Sequence, residues 1–280
     1  PLGEFLETHR FGAAFRDWYL LPMLGCIWSC PTDQMLQFPV ATMVRFCHNH
    51  GLLQVNDRPQ WWTVTGGGRH YVDKIVAGID DARLNTPVRR IERDAAGVRV
   101  VTDGRTEHFD RLVLATHSDQ ALALLAHPTL QEKAVLGAIR YQPNHAVLHT
   151  DTSVLPTRRA AWAAWNYHVL PGRGQGVALT YDMNILQGLR SRHTFCVSLN
   201  AGGRIDPNRV LRRMSYRHPL FTTTGVAAQR RHGEISGVRR THYCGAYWRY
   251  GFHEDGVVSA QMALQRFEQS LYDDAQRDLQ

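Results

Sequence analysis

Lysine is almost missing from this chain of 280 residues: Lys74 and Lys133 are the only two, and arginine carries the net charge of +7. Two readings of that loading stay open, an arginine-favouring codon bias and an electropositive surface for phosphate-bearing ligands or anionic lipid. No arginine-rich block with interleaved aromatics occurs, so no nucleic-acid partner is assigned. Cysteine is also scarce. Five residues (Cys26, Cys30, Cys47, Cys196 and Cys244) at uneven spacing exclude a disulfide framework and point to reduced thiols in a cytoplasmic protein. No apolar run approaches a membrane span and no signal peptide opens the chain, so at most peripheral contact with a membrane is expected.

What is present describes a folded globular chain, 44% hydrophobic and 20% charged, long enough for one large domain or two ordinary ones. Residues 1 to about 56 carry Phe11, Phe15, Tyr19 and Met23 at helical spacing, with breaks at Pro22, Pro31 and Pro39. Met35, Phe38, Val40, Met43, Val44 and Phe46 are the expected core there. Cys26, Cys30, Cys47, His48 and His50 are of the ligand types zinc prefers. Their spacing is not that of a standard finger, and no metal site is assigned.

Further on, Arg58 to Ala77 reads as a strand, a glycine turn (Gly66, Gly67, Gly68) and a helix. Leu84 to Thr116 reads as strands around Val88 and Ile91, then Val98 and Val100, joined by turns at Ala96-Gly97 and Asp103-Gly104. Leu112 to Ala115 then reads as a short strand of parallel type. A helical stretch from Ser118 to Ala138 leads to antiparallel strands at Ala146–His149, Trp162–Tyr167, Gly176–Tyr181 and Thr194–Leu199, with a helix expected near Asp206 to Met214.

The organising stretch is Thr241 to Leu264: a short strand, a glycine turn at Gly245, an aromatic loop, Gly251, and a helix opened by Asp255-Gly256. Glycine at both turns lets the main chain approach a flat or anionic ligand. The free amides and positive dipole end of the helix suit an anion or an electron-rich ring.

This stretch resembles the flavin-contacting segment near the carboxyl end of the flavin-containing amine oxidase superfamily, in particular a bacterial branch of amine oxidase-like, NAD/FAD-binding proteins. Phe15-Arg-Asp-Trp-Tyr-Leu-Leu-Pro22, Ile27-Trp-Ser-Cys-Pro31, Phe46-Cys-His-Asn-His-Gly51, Val64-Thr-Gly-Gly-Gly68 and Tyr141 to Asp151 carry the same resemblance. It implies an α/β (mixed α+β) fold: a partial FAD-binding domain with an antiparallel-sheet substrate domain. The FAD-binding part is expected at 61–117 and 236–280, and the substrate part at 1–60 and 118–235. The superfamily's Gly-x-Gly-x-x-Gly turn is absent, and the chain does not begin with methionine. A fragment without its first βαβ unit is therefore expected, inactive in isolation.

The resemblance implies FAD contacts from Gly66 and Gly67, from the backbone of Val88 near the adenine, and from Ala115 near the dinucleotide. It places Gly245 and Ala246 by the ribityl and phosphate portion, and Gly251, Phe252, His253, Gly256 and Val257 along the ring and helix start. Core strands and plain turns are the bland reading of the same residues. Three departures loosen the transfer: Ala246-Tyr247 where relatives carry an acidic residue, Asp255 where a small residue is common, and Ser259-Ala260 in place of Ser-Gly. Where amine oxidases often place a lysine near flavin N5, this chain has Asn144 or His145, and His145 is the catalytic candidate.

The activity implied is hydride removal from a substrate C-H. The absent lysine and a supply of aromatics (Trp28, Trp61, Trp62, Trp165, Trp248, Tyr250) favour an apolar acyl or alkene-bearing substrate, as does the occurrence of the branch with cyclopropane fatty acid synthases that the resemblance implies. Oxidation of a free amine is one alternative. A non-catalytic zinc or nucleic-acid-binding module is another.

Overall fold

A computed structural model describes residues 1–60, 62–169 and 177–278; Trp61 and Gly176 lie outside the described residues. The fold is mixed α/β. Its strands are β1 (Val88–Arg93), β2 (Val98–Thr102), β3 (Thr106–Phe109), β4 (Leu112–Leu114), β5 (Arg140–His149), β6 (Trp165–Val169), β7 (Val177–Asp182), β8 (Cys196–Leu199), β9 (Val210–Leu220) and β10 (Thr241–Tyr243). The chain divides into two compact units, Pro1–Ala82 with Gln142–His218, and Arg83–Tyr141 with Pro219–Gln280.

The first unit sets helices beside a sheet of order β6-β7-β8-β5-β9. β5 pairs antiparallel with β8, β8 with β7, and β7 with β6. Ala146, Leu179 and Leu199 form one apolar cluster with Cys26 of the helix Leu21–Trp28, and the Gln142 side chain donates to the carbonyl of Ser29 just beyond that helix. Burial pushes the Cys26 and Cys196 thiols up to about 12, so both remain protonated packing groups.

Three expectations change here. Val44 is 42% exposed, whereas Met43, Phe46 and Cys47 of the same helix are buried. At about 100° per residue, Val44 sits well off the stripe those three define. No strand is assigned before the turn at Gly66 among the described residues, although the helix Arg69–Val76 follows it. The helix expected near Asp206 to Met214 is a single 3-10 turn, Pro207–Arg209, capped by the Asp206 carboxylate, and the chain then becomes β9. β9 is an edge strand, so it tolerates Pro219 and its row of arginines, which would protect an open edge.

In the second unit β1, β2 and β3 form an antiparallel meander. The Asp94 carboxylate accepts from the amides of Ala96 and Gly97, closing the first turn. β4 and β10 pair in parallel, Leu112 beside Thr241 and Leu114 beside Tyr243. Ile91, Val98, Leu114, Val135, Ile235 and Tyr243 belong to one buried cluster between these sheets and their helices.

Within that core lies a charge. Thr129 and Glu132 make a reciprocal capping box at the start of the helix Leu130–Leu136. The same Glu132 carboxylate accepts two bonds from the Arg93 guanidinium (2.5 and 2.9 Å) and one from the Tyr243 hydroxyl (2.6 Å). Burial alone would raise this carboxyl. The bonds from Arg93, Tyr243 and the Thr129 amide outweigh burial and hold it down to about 2, against an ordinary 4.5. Glu132 therefore contributes its full stabilisation above pH 4.5 and loses it as pH falls toward 2. Glu132→Gln is expected to cost about 3–5 kcal/mol by leaving Arg93 buried without its counter-charge, and to flatten the acid limb of stability against pH. Urea midpoints measured down the pH scale check both effects; an unchanged acid limb would exclude this carboxylate as its source.

Candidate functional site

Because β4 and β10 run in parallel, their carboxyl ends open together, the position where open α/β sheets bind ligands. Ala115 leaves β4 there and Gly245 follows β10; the amide of Cys244 donates to the carbonyl of Leu114. Gly245 has φ 153° and ψ 150°, a region open essentially to glycine alone. A Cβ on it would stand 2.4 Å from Tyr247 Cε1.

From Gly245 the chain makes a 3-10 turn, Ala246–Trp248, whose Tyr247 and Trp248 are buried in the core cluster. The aromatic loop thus turns its rings inward and its backbone outward. The loop is closed by its own main chain: the amides of Arg249 and Gly251 both donate to the carbonyl of Ala246. From outside the loop, Gln229 Nε2 donates to the carbonyls of Tyr247 and Arg249 (2.8 and 2.7 Å). Ser259 completes the hold. Its Oγ accepts from the amide of Gly245 and donates to the carbonyl of Gly256, both at 2.8 Å, fastening the glycine turn to the first turns of the helix His253–Asp278. Gln229 carries no sequence signal for this role, and the sequence marks Ser259 only as the first residue of the Ser259-Ala260 pair.

That helix begins two residues before the expected Asp255-Gly256. The Asp255 carboxylate, 5% exposed, accepts from the amide of Phe252, the start of the helix, which accounts for an acidic residue where a small one was expected. The first helical bond runs from the Gly256 amide to the Phe252 carbonyl, so the amides of His253, Glu254 and Asp255 precede the intrahelical ladder. Gly251 sits at φ +95°, with Phe221 3.3 Å from where its Cβ would be. Beyond its chain neighbours and its own helix backbone, no atom lies within 4 Å of a Cβ built on Gly256. Gly251, His253 and Val257 are exposed and Phe252 is half-buried, so the segment is open along one side.

The other sequence candidates fall in separate places. Val88 opens β1, half-buried against the core cluster. Gly66 and Gly67 have φ +80° and +91°; His70 lies over the first, and the space at the second is open. Of the two candidates on β5, Asn144 is buried, donating to His218 Nδ1 (2.6 Å) and accepting from Asn200 (2.9 Å). His145 is exposed and lines a hollow of about 300 Å³ with Arg213 and Met214. Among the six aromatics suited to an apolar chain, Trp28 and Trp248 are core residues, while Trp62 is 87% and Trp165 40% exposed.

One side-chain constellation outside these positions resembles a nucleophile with its base. His149 Nε2 lies 2.8 Å from Ser198 Oγ, which in turn meets Thr180 Oγ1 at 2.7 Å. His149 Nδ1 accepts from the amide of Asp151, so the proton sits on Nε2 and points at the serine. With Ser198 and His149 both fully buried, this is a structural network in the wrong tautomer for a base. No group of three or more His, Cys, Asp or Glu able to hold a metal occurs among the described residues. Nor is any helix among them long and apolar enough to cross a membrane.

The sequence model for flavin containing amine oxidoreductase matches residues 28–176, more than half of the chain. No curated protein matches by sequence. Among solved structures, the CLA-producing fatty acid isomerase from P. acnes aligns with a TM-score of 0.61 at 16% identity, covering 95% of this chain and 66% of that one. Cyclohexylamine oxidase from Brevibacterium oxydans IH-35A gives 0.60 at 14%, covering 96% and 67%. A double mutant of putrescine oxidase gives 0.64 at 14%, covering 95% and 67%. This chain therefore spans about two thirds of the length of the structures it is similar to, and at these identities the likeness is one of fold.

Ser259→Ala removes both latch bonds and leaves the Gly245 amide short of an acceptor, with an expected loss of about 1–3 kcal/mol. Denaturant unfolding gives the magnitude, and hydrogen exchange at Gly245 locates it. Unaltered exchange there would show that the serine does not hold the turn.

Proposed function

Since the chain belongs to the flavin containing amine oxidoreductase family, we propose that its glycine loop and helix start hold the isoalloxazine end of FAD in an enzyme that removes hydride from a substrate C-H. The observation that carries this reading is the open backbone of Gly251 to Val257, held by Ser259 at the Gly256 carbonyl, following a loop held by Gln229 at Tyr247 and Arg249, with open space at the Cβ position of Gly256. That arrangement fits a flat ring: two glycines in conformations that keep side chains away, and first-turn amides at the positive end of a helix of 26 residues. Gly245 and Ala246, with Ala115 beside them, are assigned to the ribityl and phosphate portion, Val88 to the adenine, and Gly66 and Gly67 to a second approach of main chain to the ring. When bound, FAD supplies the hydride acceptor and is later reoxidised.

The chain's own residues do the positioning. Asp255 spends its carboxylate on the Phe252 amide and lies 3.5 Å from the Arg249 guanidinium, so its charge is balanced locally. His145, exposed where Asn144 is locked into its hydrogen bonds, is assigned to order a water or relay a proton.

For the substrate we favour an apolar acyl or alkene-bearing molecule. β5 carries no lysine, and the family fold is shared by a fatty acid isomerase as well as by amine oxidases. The full-length protein is expected to turn over unsaturated fatty acyl substrates and to leave simple alkylamines untouched. Turnover of alkylamines alone would reverse the substrate assignment.

Gly256→Leu isolates the flavin reading. The Cβ it adds stands clear of other side chains, and the change raises helix propensity by about 1 kcal/mol, so stability should hold or rise. It projects into the space assigned to the ring, and FAD affinity should fall at least about tenfold, roughly 1.4 kcal/mol. Visible absorbance of bound flavin and a thermal melt read the two quantities separately; undiminished flavin binding with a well-folded variant would remove Gly256 from the cofactor site.

A further inference from the structure

The glycine loop occupies the carboxyl ends of β4 and β10. The opposite ends of the same strands border a second cavity, of about 630 Å³, a size suited to a small molecule. Arg111 enters it just before β4, Arg239 and Arg240 just before β10, and Arg266 from the long helix. Arg266 lies 13 residues beyond the helix start, about 20 Å along its axis.

Four arginines in one cavity would repel each other unless countered, and they share its lining with three aspartates, Asp94, Asp273 and Asp274. Arg111 is paired with Asp274. Arg239 donates to the carbonyls of His127 and Arg93, both at 3.0 Å, and Arg240 to that of Ala95 at 3.2 Å. Carbonyls orient a guanidinium without neutralising it. Arg266 rests on Gly233 and makes no ion pair among the described residues. Of the other two carboxylates of the wall, Asp94 accepts from the amides of its turn and is paired with Arg99 outside the cavity, while Asp273 accepts from the neutral Gln269 and keeps its charge, so the lining holds a small positive excess centred on Arg239, Arg240 and Arg266.

Two independent features point to the same place. The wall runs through Gly237, Arg239 and Arg240 at φ +98°, +49° and +61°, and side chains at positive φ are held only where the surroundings over-determine them, commonly at ligand sites. Behind that wall His242 is fully buried, and neither ring nitrogen has a hydrogen-bond partner. Its Cε1, the carbon flanked by both nitrogens, lies 3.7 Å from where a Cβ on Gly237 would be. A buried imidazole left without partners is costly, and this one sits directly behind the Gly237 stretch of the wall.

We propose that this cavity binds a phosphate-bearing small molecule, its oxyanion seated by Arg239, Arg240 and Arg266, at a site separate from the glycine loop. Arginine forks suit phosphate oxygens, and each such charged contact removed should weaken binding about tenfold or more. Calorimetric titration of the full-length protein with inorganic pyrophosphate, with ADP, and with vesicles containing phosphatidic acid tests it. Binding of pyrophosphate or ADP, weakened at least about tenfold in both Arg266→Gln and Arg240→Gln and retained in Arg266→Lys, with flavin absorbance unchanged, supports a soluble ligand. The same pattern with vesicles alone supports a lipid headgroup as the source of the phosphate. No binding of any probe by the wild type, or equal binding by both glutamine variants, overturns the proposal. Because FAD retention is read separately, failure here leaves the flavin assignment intact.

Discussion

A single buried carboxylate fixes the second unit. Glu132 has no exposed surface, yet it closes the cap of its own helix, receives both arms of the Arg93 guanidinium, and accepts the Tyr243 hydroxyl. A buried charge costs several kcal/mol unless its partners are all in place. β1, the helix Leu130–Leu136 and β10 must therefore meet at one point. Tyr243 closes β10, and Gly245 lies two residues on, so the same constraint that satisfies the carboxylate also sets where the glycine turn begins.

From that point the candidate site is built from main chain. The backbone of the turn is bound by Ser259, by Gln229 and by the Ala246 carbonyl, while Tyr247 and Trp248 fill the core beneath it. Such a loop is rigid before any ligand arrives, which lowers the entropic cost of holding one. It also explains how the fold persists at 14–16% identity to the solved structures it is similar to. A contact made by amides and glycines places few demands on neighbouring side chains.

The two parallel strands have two chemically different ends. At the carboxyl ends, glycines and helix amides leave space for a flat ring; at the amino ends, four arginines converge with three aspartates. Elsewhere the arginine excess is spent in exposed pairs, such as Arg89 with Asp103 and Arg231 with Glu234, which contribute little to stability. Net charge alone therefore said little about where an anion would be held. Position on the fold makes the difference.

Much of this was legible in the chain. Val88 and Ile91, then Val98 and Val100, with turns at Ala96-Gly97 and Asp103-Gly104, gave the meander, and Met35, Phe38, Met43 and Phe46 were rightly placed in a core. The glycine spacing of 245 to 256, with the motifs around it, led to the family. Local chemistry suffices for such features because a turn or a helix face is decided by residues a few positions apart. The first half of the edge strand β9, to Met214, was misread as part of a helix, since nothing local to Val210–Leu220 announces a partner more than sixty residues earlier. Val44 was assigned to a core from its apolarity, although the helix turns it outward. The sequence by itself determined the periodicities, the turns and the family; tertiary structure alone decided that Glu132 meets Arg93 and Tyr243, that Ser259 holds Gly245, that Asn144 is locked while His145 is exposed, and that four arginines share one cavity. Those contacts join residues far apart in the chain, and only the packing of the core brings such groups within the few ångströms over which hydrogen bonds and ion pairs act.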